Sequence, residues 1–295
     1  MSKIILRISG GLGNQLFCYA AARRVSLVNN IELVIDNISG FSYDYKYKRQ
    51  YQLDHFCIPC RKATARERLE PFQRVRRFLK RELNQYRPLN ERKYVQQESN
   101  AFDSRLLSFM PNGDVYLEGY WQSEGYFKDV EPIIREDLRI TPPTDPVSLT
   151  LASQMQSLVS VAVHVRFFDE PQEGGNNNAP HGYYSRAINA MERVIPGAHY
   201  FIFSDQPDAA RARIPLPKET VTVVAHNKGD LQAYADLWLM TQCKHFIIAN
   251  STFSWWGAWL SDNKNKQIIA PGITKQGGKS SWGFAGLLPD EWLKI

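Results

Sequence analysis

At positions 249 to 260 the chain reads ANSTFSWWGAWL, an asparagine and two hydroxyl residues followed by three tryptophans within five positions. The preceding HFIIAN has strand character, Ser251 and Thr252 suit a helix N-cap, and Trp255, Trp256, Trp259 and Leu260 recur at helical spacings of three and four. A helix of that pattern buries its indoles. Its first turn, flanked by Asn250 and Phe253, then presents unpaired N–H groups and hydroxyls, a seat for phosphate. In VAVHVRFFDE, alternation puts His164 and Arg166 on one face and Val161, Val163 and Val165 on the other. A guanidinium there grips two phosphate oxygens at once. Ser204 and Asp205 close the strand YFIFS, and Asp236 lies in the helix before HFIIA. A carboxylate accepts the paired N1–H and 2-amino donors of guanine. Each residue has a plainer alternative: a cap for Ser251 and Thr252, a buried ring for His164, an ion pair for Arg166, and caps or surface groups for the carboxylates.

A second group opens the chain. GGLGNQ follows the first strand, and Asp36 ends the next strand 23 residues past Gly13, the arrangement of a dinucleotide site. Leu16 stands where its third glycine belongs. The loop still allows close backbone approach at Gly11 and, at the helix start, offers the amides of Asn14 and Gln15 to an anion or a sugar hydroxyl.

These groups need strand ends to carry them. Lys3–Ser9, an Ala-rich helix from Asn14 to about Val28 and IELVID form a β-α-β unit, and VYLEGYW at 115–121 reads as another strand. TPPTDP at 141–146 punctuates like a linker. Beyond it, strands at Val159–Arg166, His199–Ser204, Val221–Ala225 and Phe246–Ala249, then QIIAPG, alternate with helices at Tyr183–Val194 and Leu231–Cys243. Such alternation predicts parallel sheets with ligands at their carboxyl ends. The expected architecture is two α/β domains, 1–145 and 146–295, with a cleft between them.

With 295 residues, 43% of them hydrophobic, the chain has length for about two globular domains. Its apolar runs are too short to span a bilayer and no signal-peptide core opens it, so a soluble, cytoplasmic protein is expected. Cys57-x-x-Cys60 beside His55 lacks the further ligands or the βαβ context of a zinc or redox site, and ordinary reduced thiols are expected. Between Arg61 and Lys93, 12 Lys/Arg face 4 Asp/Glu, a local +8 that leaves about −2 for the rest of a +6 chain. Leu69, Phe72, Val75, Leu79 and Leu83 recur there at helical spacing, predicting an amphipathic helix with a basic outer face. Solvent, an anionic membrane or a lipid-linked substrate would suit that face. Nucleic acid is not expected, for no binding motif accompanies it.

The segments GGLGNQLFCYAAA, YLEGYWQSEGYF, VHVRFFD, FIFSDQP and IIANSTFSWWGAWL, in this order, resemble the bacterial α-1,2-fucosyltransferases of glycosyltransferase family 11 over nearly the whole chain. The resemblance implies a GT-B-like fold of two Rossmann-like domains, GDP-β-L-fucose as donor, a galactose-terminated acceptor glycan reacting at its 2-hydroxyl, and inversion without metal or other cofactor. It gives the N-terminal domain to the acceptor and the C-terminal domain to the nucleotide sugar. Among site residues it implies nucleotide contacts for His164 and Arg166, guanine for Asp236 and the β-phosphate for Ser251 and Thr252. Two departures stand out: the family's second arginine is Phe167, and its second Asp after Ser-Asp is Gln206. The catalytic candidates are Arg166, on the leaving diphosphate, with Glu118 or Asp169 as acceptor base. Asn14 and Gln15 are expected to close over the phosphates or the fucose. The alternatives are transfer from another nucleotide sugar and a non-catalytic sugar-binding protein.

Overall fold

The computed structural model describes residues 2–45, 47–168, 179, 182–272, 274–276 and 279–295, arranged as two compact units, Met1–Arg139 and Ile140–Ile295. Asp169 and most of the PQEGGNNNAP segment lie outside the described residues.

The first unit contains β1 (Lys3–Arg7), α1 (Leu12–Asn29), β2 (Glu32–Asp36), β3 (Arg61–Lys62), α2 (Gln73–Asn84), β4 (Tyr94–Gln96), β5 (Val115–Glu118) and α3 (Glu131–Asp137). Its sheet is parallel throughout, in the order β3-β2-β1-β5-β4. The alanines of α1 let it bury residues all round, from Leu12 and Leu16 through Phe17 and Ala20–Ala22. Gly40 is required where its loop crosses β1, because a Cβ there would lie 1.8 Å from the carbonyl oxygen of Ile8.

Helix α2 overturns one expectation. It is amphipathic, but its apolar face points outward: Phe72 is 74% and Leu83 69% exposed, Val75 and Leu79 are also exposed, and Arg77 is buried. The inner face is polar because it docks at the start of β4, where Asn84 Oδ1 accepts from Lys93 N (2.5 Å), while Arg77 donates within the helix to Gln73 Oε1 (3.2 Å). Of the apolar stripe, Leu69 alone packs on the cluster of Ile5, Val34 and Tyr94.

The second unit contains α4 (Pro146–Ser157), β6 (Ser160–Val165), α5 (Tyr183–Val194), β7 (His199–Ser204), α6 (Pro207–Arg213), β8 (Val221–Val224), α7 (Ala233–Gln242), β9 (His245–Ile247), α8 (Thr252–Leu260), β10 (Ile268–Ala270), the antiparallel pair β11 (Thr274–Gln276) and β12 (Lys279–Trp282), and β13 (Leu293–Lys294). The main sheet is again parallel, in the order β13-β10-β9-β6-β7-β8. The TPPTDP run leads into this unit: Asp145 caps α4 by accepting from Ser148 N at 2.8 Å. Strand β6 is buried along its whole length, as a central parallel strand must be. Its odd-numbered valines meet Tyr183, Tyr184 and Met191 in one core cluster.

Candidate active site

In a parallel sheet, ligands bind where chain order reverses and neighbouring strand ends diverge. The second unit reverses between β6 and β9, since β7 and β8 extend the sheet on one side and β10 and β13 on the other. The ends of those two strands carry the strongest candidates, His164 and Arg166 after β6, and Asn250, Ser251 and Thr252 after β9.

A hydrogen bond ties these ends together: His164 Nδ1 lies 2.8 Å from Ser254 Oγ, in the first turn of α8. Ser254 Oγ also donates to the Ser251 carbonyl (3.3 Å). Burial, with a smaller contribution from the Arg166 charge, pushes the His164 pKa down to about 3, so the imidazole is neutral at any ordinary pH. Phe253 packs against the same ring, with centroids 5.4 Å apart. Tyr184 Oη donates to the His164 carbonyl, while Tyr183 Oη lies within hydrogen-bonding distance of the carbonyls of Ile248 and Ile269. Two buried tyrosines thus pin the ends of three adjacent strands.

Ser251 is the N-cap of α8, its Oγ accepting from Phe253 N at 3.3 Å, and Thr252 opens the helix. Both are partly exposed, while Asn250 beside them is buried. Behind them Trp255, Trp256 and Trp259 are buried, and Trp255 Nε1 donates to the Leu287 carbonyl (2.8 Å). The helix is seated by its indoles, and its opening turn lies at the strand ends. The expectation of unpaired amides there is corrected, for Ser251 N donates to the Ala249 carbonyl (2.8 Å) and Phe253 N to Ser251 Oγ, which leaves the two hydroxyls and the helix dipole to face an anion.

Arg166 pairs with Asp205 at the end of β7 (3.1 Å), with about a quarter of each side chain exposed. Asp205 also accepts from Phe167 N, and Ser204 Oγ accepts from Gln206 N. Asp205 therefore aims the guanidinium. Phe167, in place of the family's second arginine, is buried in the core with the Arg213 guanidinium 4.6 Å from its ring centre.

Asp236 stands in the first turn of α7, beyond the end of β8, where its carboxylate accepts from Asn227 Nδ2 at 2.8 Å. Burial raises its pKa to about 7, partly offset by that hydrogen bond.

The first unit reverses between β1 and β5. There Arg7 Nη1 donates to Glu118 Oε1 (2.5 Å), and Tyr94 Oη donates to Glu118 Oε2. Around this pair, Ser9, Gln96, Gln97, Glu98, Asn100 and Tyr120 line a cavity of about 350 Å³ whose walls are mostly polar.

One expectation in this unit is corrected. Helix α1 starts two residues before Asn14, so the amides of Asn14 and Gln15 both donate to the Gly11 carbonyl and are not offered to a ligand. Gln15 is fully buried, donating to the carbonyls of Gly10 and Gln50 and accepting from Gln52 N. Asn14 is partly exposed and holds Gln122 (2.8 Å). The incomplete dinucleotide fingerprint agrees with the structure: Asp36 is buried, accepting from Ser39 N, Ser39 Oγ and Tyr116 Oη, which leaves no carboxylate for a ribose.

Sequence reasoning missed Ser254, Asn227 and Arg49, whose guanidinium would lie 3.7 Å from a Cβ at Gly11. Ser254 stood inside the quoted motif at helical spacing from Ser251. Arg49 lies in an irregular stretch with no periodicity to mark it.

Two units, each built on a parallel main sheet with polar groups gathered at a reversal point, make the GT-B class of glycosyltransferase fold. Solved fucosyltransferases share it: NodZ α-1,6-fucosyltransferase soaked with GDP-fucose matches with TM-score 0.50 at 16% identity, over 88% of this chain and 92% of that one. A mutant of Arabidopsis thaliana FUT1 in complex with GDP matches with TM-score 0.54 at 12% identity, over 94% of this chain and 71% of that one. The chain belongs to glycosyl transferase family 11, whose model matches residues 3–280. Among its relatives are an α-1,2-colitosyltransferase of Escherichia coli, 27% identical over 100% of this chain and 99% of the relative, and the O-antigen biosynthesis glycosyltransferase WbnK of Escherichia coli, 27% identical over 98% and 99%.

Proposed function

We propose that this glycosyltransferase moves L-fucose, with inversion, from GDP-β-L-fucose to the 2-hydroxyl of a terminal galactose or similar sugar, in a glycan such as a surface-polysaccharide repeat unit. The observation that carries the reading is the β6–β9 reversal point. There a guanidinium and the opening turn of α8 converge on one sheet edge, and a buried carboxylate lies beyond the end of β8. That is a cation, hydroxyls and a helix dipole for a diphosphate, and an acceptor for guanine.

In this reading Asp236 accepts from guanine, His164 and Ser204 border the ribose, and Arg166 with the hydroxyls of Ser251 and Thr252 holds the diphosphate, Asn250 bracing the turn and Phe253 packing on the His164 ring. Asp205 positions Arg166. As the glycosidic bond breaks, negative charge gathers on the departing GDP while the fucosyl ring becomes oxocarbenium-like. Donors preorganised where that charge develops lower the barrier, each by roughly 3–4 kcal/mol in comparable sites. Arg166 and the α8 dipole supply this without a metal, so activity is expected to persist in EDTA.

The first unit receives the acceptor in its polar cavity. Both Glu118 oxygens are engaged, one by Arg7 and the other by Tyr94. Glu118 is therefore assigned to positioning Arg7, and Asp169 is kept as the candidate base. Glu118→Gln is expected to lower the melting temperature while costing less than the roughly 10²-fold in kcat that loss of a general base costs.

The relative named as a colitosyltransferase favours a second donor, GDP-colitose, whose sugar lacks one ring hydroxyl of fucose. The deciding experiment offers GDP-fucose, GDP-colitose, GDP-mannose and UDP-galactose with galactose-terminated disaccharides and reads the product linkage. A 2-linked fucoside is expected; turnover of UDP-galactose alone would overturn the reading. Arg166→Ala should lose tenfold or more in kcat/KM, since a charged hydrogen bond is worth about 1.5–3 kcal/mol. An unchanged rate would remove Arg166 from the scheme.

A further inference from the structure

We propose that α2 docks the first unit onto an anionic phospholipid bilayer, lying in the plane of the interface. The outward face of this helix and its flanks carries Phe72, Val75, Phe78, Leu79, Leu83 and Tyr86, each more than half exposed. At about 100° per residue Val75, Leu79 and Leu83 lie on the side away from the buried Arg77, with Phe78 at the margin of the stripe. Arg74 and Arg81 lie to one side of the stripe, Arg76 and Lys80 to the other, and Glu82 is the sole acid in Gln73–Asn84. Phe72 takes φ +65°, a left-handed conformation unfavourable for an aromatic residue, with its ring in solvent.

An apolar strip bordered by cations on both sides is the pattern of an interfacial helix. The apolar side chains enter the acyl boundary, while long basic stems reach back to the phosphates. Twelve residues make about 18 Å of helix, too short to cross a membrane, and among the described residues no helix is long and apolar enough to do so. A second copy of the chain fits this face poorly. A symmetric dimer would set two such strips together, each bordered by four cations, Arg74, Arg76, Lys80 and Arg81, against one acid. A nucleic acid would need cations along the centre of the face, where the apolar residues stand. The inference rests on exposed residues that take no part in the proposed donor site, so it stands or falls independently of the donor.

The test is flotation of the full chain with vesicles of equal parts phosphatidylglycerol and phosphatidylethanolamine, against vesicles of phosphatidylcholine. Binding to the anionic vesicles alone, weakened by salt, is expected. Each cation near an anionic surface contributes roughly fivefold in partitioning, so Arg74→Gln with Arg76→Gln should reduce binding about 25-fold. Val75→Ser with Leu79→Ser should reduce it about tenfold or more. Both double variants alter exposed side chains, and their melting temperatures and turnover of a soluble acceptor should match the wild type. Failure of the wild type to float, or flotation unchanged in both variants, overturns the proposal. So does a doubled mass in light scattering that Val75→Ser with Leu79→Ser abolishes, which would give the face to a second copy.

Discussion

Asp236 and His164 are both buried away from their ordinary pKa values, and the two shifts oppose each other. The Asp236 carboxyl rises from 3.8 to about 7 in the folded chain. It therefore keeps a proton that the unfolded chain releases, and contributes stability below about pH 4 that is lost as pH rises to 7. His164 falls from 6.5 to about 3, so its contribution is full above pH 6.5 and lost as pH falls. The difference in melting temperature between wild type and Asp236→Asn isolates the carboxyl; the variant should gain relative stability above pH 7. If the carboxylate receives guanine, GDP affinity should rise as pH passes through about 7, because only the ionised form accepts both donors. Asp236→Asn should weaken GDP about tenfold or more and flatten that dependence, measured by calorimetric titration. Affinity independent of pH in the wild type would remove Asp236 from the base pocket.

Among the elements, α8 was the most legible, since its cap, its hydroxyls and its tryptophan spacing lie within twelve consecutive residues. Helix α5 and strand β7 likewise keep the limits their sequences suggest. The segment from 37 to 111 was not legible: β3 has two residues and β4 three, too few for any period to register. Helix α2 shows a different failure. Amphipathicity identifies two faces but does not say which one is inside, and here the polar face found hydrogen-bond partners on the sheet. Gln15 and Glu118 were read as open to ligands because their partners lie 35 and 111 residues away, beyond any local pattern. The seat of α8 also depends on Gly257, where a Cβ would approach Met240 to 3.1 Å. Gly257→Val should overpack the contact with α7 at a cost of about 1–3 kcal/mol, lowering the melting temperature by roughly 2–12 °C. An unchanged melting temperature would mean that the two helices part freely.

For the molecule as a whole, the alternation of strands and helices announced two parallel-sheet units, and the structure divides the chain after Arg139, at the threshold of the proline-rich run. What composition could not disclose is which strand ends do chemistry, because that depends on where the sheet order reverses, a property of topology. Hydrogen exchange on the full chain tests this directly. GDP should slow exchange at 164–168 and 250–254 and leave 61–93 unaffected, whereas NAD should change neither. Protection confined to the first unit would move the nucleotide to the β1–β5 reversal. The charge of 61–93 is a separate property, and the ionic strength that loosens vesicle binding should leave GDP protection largely intact.

Trp255 meets Trp256 and Trp259 with ring centres 4.9 and 6.0 Å apart, and Trp292 at 5.5 Å. Four coupled indoles directly behind the opening turn of α8 form a natural fluorophore for whatever settles on that turn. Occupancy can be followed by ultraviolet emission of the unlabelled enzyme, in stopped flow as well as at equilibrium, so that donor arrival and departure are timed apart from bond cleavage.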